Sequence, residues 1–116
     1  MPVSAPAIEL PALAQQYQLR GAEDVEAYLE EYPFLFPLLF EAVSPIERIF
    51  GKDARRVIEV AADPEAESGR GKLYLLIQTR DNVEDALAKQ DQLDHEWWLS
   101  AFSRACCRMN VDVEFV

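Results

Sequence analysis

The chain has 116 residues, of which 50% are apolar and 28% charged, enough for one domain that buries roughly two-thirds of the surface its unfolded form exposes. That composition excludes disorder. Eleven basic against 21 acidic residues leave a formal charge of -10, a field that opposes nucleic acid and anionic lipid as partners.

The N-terminal residues 1–9 carry two prolines and little pattern, and are expected to form a flexible arm. They lack the positive start and apolar stretch of a secretion signal, so a cytoplasmic protein is expected. A short helix is predicted over Leu10 to Leu19, closed by Arg20 and Gly21. GAEDVEAYLEEY begins a second helix, with Glu23 and Asp24 favoured by the dipole in its first turn. Val25, Tyr28, Leu29 and Tyr32 share one face of it, and Glu26, Glu30 and Glu31 lie on the other with no lysine or arginine to balance them.

Pro33 breaks that helix and Pro37 suits the first turn of the next. Its apolar residues Leu38, Leu39, Ala42, Val43, Ile46, Ile49 and Phe50 recur at helical spacing, which marks a core-facing helix. Ser44-Pro45 predicts a kink or a division, and Gly51 a stop. The apolar run FLFPLLF is far shorter than the roughly 20 residues of a bilayer span, so no membrane crossing is expected. Arg48, Lys52, Arg55 and Arg56 gather near the helix end; the first two complement its dipole, and an anion-binding role is the alternative.

RRVIEVAAD and KLYLLIQTR alternate as two strands of an antiparallel hairpin, with DPEAESGRG as a long turn between them. Ile58, Val60, Leu73, Leu75 and Ile77 point toward the helices, and Glu59 and Gln78 away. Asp81 and Asn82 are both good N-caps, and Asp81 with Glu84 has the spacing of a capping box, which starts a helix near Val83 that runs to about Ala105. Its inner stripe is predicted as Val83, Ala86, Leu87, Leu93, Trp97, Ala101 and Ala105. NVDVEFV closes the chain as a third strand, with Val111, Val113 and Phe115 inward and Asp112 and Glu114 outward. The fold class is therefore α+β: helices packed on one face of a small three-stranded sheet, in one domain, with a βαβ crossover at the end.

DQLDHEWWLS holds the only histidine and both tryptophans. Asp91 and His95 are four residues apart and share a helix face, weak metal candidates with Asp94 or Glu84 as distant helpers, but two ligands make no site. The plainer role of His95 is a solvated residue paired with Asp91 or Asp94, its pKa raised by them. Trp97 and Trp98 are one hundred degrees apart on an α-helix, roughly the angle between successive residues, so Trp97 is assigned to the core. Trp98 is assigned to a boundary, covered by the N-terminal arm, a neighbouring helix or the second subunit of a homodimer.

Glu59, Asp63, Asp112 and Glu114 form an acidic strand set. Carboxylates so placed hold magnesium in phosphoester and nucleotide enzymes, though the Gly-Ser entry turn of nucleotidyltransferases is missing. A solvent face on alternating strands is the simpler account. Cys106 and Cys107 are adjacent, without a CxxC partner, and read as buried or half-buried free thiols. No P-loop, dinucleotide fingerprint, nucleophile elbow or HExxH is present, so no cofactor is expected.

YPFLFPLLFEA, VIEVAADPE, VEDALAKQDQLDHEWWL and VDVEF together resemble a family of small uncharacterised bacterial proteins, cyanobacterial ones among them, over residues 28–116. The resemblance implies a bacterial origin and no activity, and Pro45 departs from a continuous helix. The residues themselves favour a non-enzymatic interaction or regulatory protein, antitoxin-like in one version, that meets a basic protein through Glu26, Glu30, Glu31 and Trp98. The alternatives are acidity that only keeps the chain in solution, and the magnesium enzyme using Glu59, Asp112 and Glu114.

Overall fold

The computed structural model describes residues 5–62 and 71–116; Asp63 and most of the turn after it lie outside the described residues. The order of elements is α1 (Ala5–Gln16), β1 (Gln18–Arg20), α2 (Ala22–Glu31), α3 (Leu35–Phe50), β2 (Arg56–Ala62), β3 (Gly71–Thr79), α4 (Val83–Leu93) and β4 (Met109–Phe115). The sheet is mixed, with strands in sequence order: β1 parallel to β2, β2 antiparallel to β3, and β3 parallel to β4.

Alternation along the strands sorts the sheet into an apolar and a polar face. Ile58 faces Leu75 and Val60 faces Leu73 across one strand pair, and Leu73 and Leu75 face Met109 and Val111 across the next. Most of these side chains join the core cluster with Leu13, Val25, Leu29, Phe36, Leu39 and Ile46 from the helices. Glu59, Tyr74, Gln78 and Glu114 alternate with them and occupy the other face. The expected in-and-out pattern and the antiparallel hairpin are both present, except that Phe115, expected inward, stands exposed at the end of β4, and α4 connects two parallel neighbours as a βαβ crossover.

The fourth strand is an addition to the expected three. Only Gln18, Leu19 and Arg20 form it, too few for a period-two signal, and the apolar residues before it continue a helical pattern. Residues 10–19 are therefore not one helix: α1 ends at Gln16, having begun at Ala5 inside the segment expected to be an arm. Tyr17 sits at the junction. Its ring is buried and its hydroxyl donates to the Leu39 carbonyl at 2.6 Å, which anchors the turn from α1 into the sheet, while burial raises its pKa.

Helix α3 runs unbroken through Pro45 and ends at Gly51, with φ +102°. Pro45 is buried, so the ring contributes packing where it removes a backbone donor. The last long helix starts at Asn82, whose side chain accepts from the Asp85 backbone N–H at 2.8 Å. Asn82 is thus the cap of the two expected, and Asp81 takes Lys89 at 2.7 Å in place of a capping box with Glu84. Val83 and Leu87 belong to the exposed side, 58% and 50% accessible, because the capped first turn points the Ala86 face inward.

The helical run continues past Leu93 through a π turn, Asp94–Trp98, a short α segment and a 3-10 turn, Phe102–Ala105. Widening the turn changes the angle between successive side chains, and both tryptophans become buried, at 9% and 7%. Trp98 is thus not a boundary residue. Trp97 lies 5.6 Å from it and the Phe102 ring meets it edge-on at 5.5 Å, so its cover comes from this chain and a second subunit is not needed for it. Cys106 and Cys107 then end the run in the left-handed region, φ +51° and +62°, which turns both thiols outward. They are exposed, contrary to the buried placement expected.

Asn82→Ala is expected to cost about 1 kcal/mol, the usual value of an N-cap. Asp81→Ala removes a half-exposed ion pair with Lys89 and a hydrogen bond with Thr79, and is expected to cost less than the loss of the cap. Urea unfolding of the two variants side by side checks the order.

Candidate functional site

The polar sheet face is organised by one arginine. β1 places Arg20 opposite Glu59, and its Nη1 donates to Glu59 Oε1 at 2.6 Å and to Glu114 Oε2 at 2.9 Å, while Nη2 donates to Glu114 Oε1 at 2.8 Å. Gln78 adds a fourth bond, to Glu114 Oε1 at 2.9 Å. Arg20 and then Gln78 hold the Glu114 carboxyl down at a pKa of about 2. Two of the candidate magnesium ligands therefore do converge, but on a guanidinium. Asp112 shares the face without joining them; it is exposed and accepts from the Val113 backbone N–H.

A second group staples α3 to the π turn and to the 3-10 turn that follows it. Arg104 forks onto Glu41 at 2.8 and 2.9 Å, Trp97 Nε1 donates to the same carboxylate at 3.4 Å, and Arg48 donates to Glu96 at 2.7 Å. These bonds lower the pKa of both glutamates, Arg104 being the main cause for Glu41 and Arg48 for Glu96. They lie between residues far apart in sequence, which no spacing rule finds.

His95 is exposed, with Nδ1 2.8 Å from the Asp91 carbonyl oxygen and 3.6 Å from its carboxylate. The carbonyl first and the Asp91 charge second raise the pKa of the ring. Asp94 is raised too, by burial and then by Asp91. Among the described residues no three or more His, Cys, Asp or Glu side chains are grouped to hold a metal, and no helix is long and apolar enough to cross a membrane.

On α2 the charges are left as the sequence lays them out. Val25, Tyr28 and Leu29 are buried, while Glu23, Asp24, Glu26, Glu30 and Glu31 are exposed. Glu23, Asp24, Glu26 and Glu30 have no ion pair among the described residues. Just beyond the helix Phe34 stands 41% exposed, edge-on to Tyr32 at 6.2 Å. No protein-family model matches the chain, and no curated protein or solved structure matches it either. Function is inferred from its own residues.

Two titrations test these assignments. Glu114 is depressed in the folded chain, so its contribution to stability is whole above the ordinary value of 4.5 and lost as the pH falls through about 2. Arg20→Gln should bring the Glu114 pKa back toward 4.5, flatten the acid limb of the stability curve, and cost no more than about 1 kcal/mol at neutral pH because the arginine is 39% exposed. Carbon-detected NMR reads the carboxyl directly. His95 has the opposite sign: its contribution is whole below 6.5 and lost as the pH rises through its higher folded value. Asp91→Asn should lower that value only in part, since the carbonyl remains; proton NMR of the ring follows it.

Proposed function

We propose that this protein is a binding protein whose α2 surface receives a basic protein partner. The supporting observation is the contrast in how carboxylates are used. Glu41, Glu47, Glu59, Asp81, Glu96 and Glu114 each have an arginine or lysine of this chain, whereas Glu23, Asp24, Glu26 and Glu30 stand together on one helix and have none. Glu23 and Asp24 are favoured by the helix dipole, but Glu26 and Glu30, four residues apart, repel each other, and cations from outside relieve that cost.

Phe34 at the end of the same surface supplies what the charges lack. An acidic rim speeds encounter and rejects acidic partners, but affinity comes from buried aromatic anchors, and this ring is both exposed and held by Tyr32. Trp98, buried at 7%, has no part in the surface. An antitoxin-like role fits the reading as one case of masking a basic protein. Magnesium chemistry at Glu59, Asp112 and Glu114 draws no support from the geometry, since Arg20 already occupies the point where the first and last of them meet.

Capture experiments from the native host at low salt, with cross-linking and mass spectrometry, should return a basic protein with contacts mapped to residues 23–34. Glu26→Lys with Glu30→Lys should reduce capture at least tenfold with unfolding unchanged, and raised salt should weaken the wild-type complex. Absence of a basic partner, or capture that ignores the double reversal, overturns the proposal.

A further inference from the structure

A different part of the molecule inverts the charge pattern. A cleft of about 510 Å³ opens where the loop after α3 meets the ends of β3 and β4, lined by Asp53, Ala54, Arg55, Gln78, Arg80 and their neighbours. Three backbone bonds fix its walls: Ala54 N–H to Gly51 O at 3.2 Å, Gln78 N–H to Arg55 O at 2.9 Å, and Val116 N–H to Thr79 O at 3.0 Å. Gln78 lies near the end of β3 and Arg80 just past it, both on the cleft wall, and Arg55 lies across from Gln78.

Both arginines of this cleft are exposed, and neither has an ion pair, a hydrogen bond or an aromatic ring to its guanidinium among the described residues. Elsewhere among the described residues most cations are paired, Lys52 excepted. Arg20, Arg48, Arg56, Lys89 and Arg104 pair with carboxylates, and Arg108 lies over the Tyr32 ring at 4.6 Å. Ten more carboxylates than cations are present, so two guanidiniums sharing one concavity without a carboxylate on either is a departure from the rest of the surface. Like charges so placed repel each other, and an anion between them removes the repulsion.

We propose that the Arg55–Arg80 cleft binds a small molecule through a phosphate or carboxylate head. Each guanidinium offers a planar fork of donors that matches an oxyanion, and the loop backbone borders the same space, while the Gln78 amide stays on Glu114. With Asp53 and Val116 also on the cleft wall, two guanidinium forks suit a single anionic head and not a polyanion; the overall charge of -10 opposes nucleic acid for the same reason. Arg56, next in sequence, is not part of this site: it faces the other way, donating to the Gln16 carbonyl at 3.0 Å and lying 3.5 Å from Glu47.

The test is a pair of NMR titrations of the whole chain at constant ionic strength, one with inorganic phosphate and one with malonate. Binding should be saturable with half-saturation at or below about 5 mM, the range of a few charge-assisted bonds, and shift the amides of Arg55, Gln78 and Arg80 while leaving those of α2 in place. The tighter of the two anions identifies the head group. Arg80→Gln should weaken it at least tenfold, and Arg80→Lys, which keeps the charge and loses the fork, by less. Linear shifts without saturation for both anions, or equal affinity in Arg80→Gln, overturns the proposal; a thermal melt of each variant shows that the fold is kept. Loss of the basic-partner complex in the α2 variants bears on the other surface alone.

Discussion

Seven of the sixteen residues of α3 are buried, and six of them, among them Leu35, Phe36, Leu38 and Leu39, share one cluster with Ile58, Leu73, Leu75 and Ile77 of the sheet. Exclusion of water between this helix and that sheet face is the contact around which the other elements are placed. α1 and α2 add Leu13, Tyr17, Val25 and Leu29 to its border, and the π turn adds both indoles. At roughly 25 cal/mol for each Å² of apolar surface removed from water, such a layer dominates every polar contact described above. Once it has formed, the remaining charges are distributed by where the backbone leaves them.

That distribution follows three regimes. On the bare sheet face, charges of opposite sign neutralise one another through Arg20. Between α3 and the π turn they bridge elements, through Glu41 and Glu96. Glu23, Asp24, Glu26 and Glu30 on α2, and Arg55 and Arg80 at the cleft, have no ion pair among the described residues, negative on the first and positive on the second. Pairing inside the chain removes a group from recognition; lack of pairing leaves it available, and the two unpaired regions differ in sign and in shape. One is an exposed helix flank with an aromatic at its end, suited to a protein surface. The other is concave, suited to a small anion.

The π turn shows how a local backbone choice alters what a surface offers. In an uninterrupted α-helix Trp97 and Trp98 diverge too far to enter one core, and a bare indole would then call for a partner subunit. Five residues of wider helix place both rings against the same cluster. The charged residues of the same stretch, Asp91, His95 and Glu96, are turned to solvent or to Arg48, so the density of polar groups in DQLDHEWWLS is a consequence of amphipathic placement.

Periodicity alone determined the helices over most of their length, the facing of β2, β3 and β4, the α+β class, the acidic flank of α2 and the Asp91–His95 contact. Each of these depends on neighbours within a few positions, where 3.6-residue and two-residue repeats leave a mark. Tertiary structure decided the rest. β1 is three residues long and exists only because β2 offers it a parallel edge; Arg20 meets Glu114 across 94 positions; both tryptophans enter the core because the turn between them widens. The Arg55–Arg80 cleft belongs to the same group, since two cations 25 residues apart share a wall only when the loop after α3 and the end of β3 are brought together. Long-range pairings of this kind leave no periodic trace, because the energy that selects them comes from the assembled layer and not from the residues next to them in the chain.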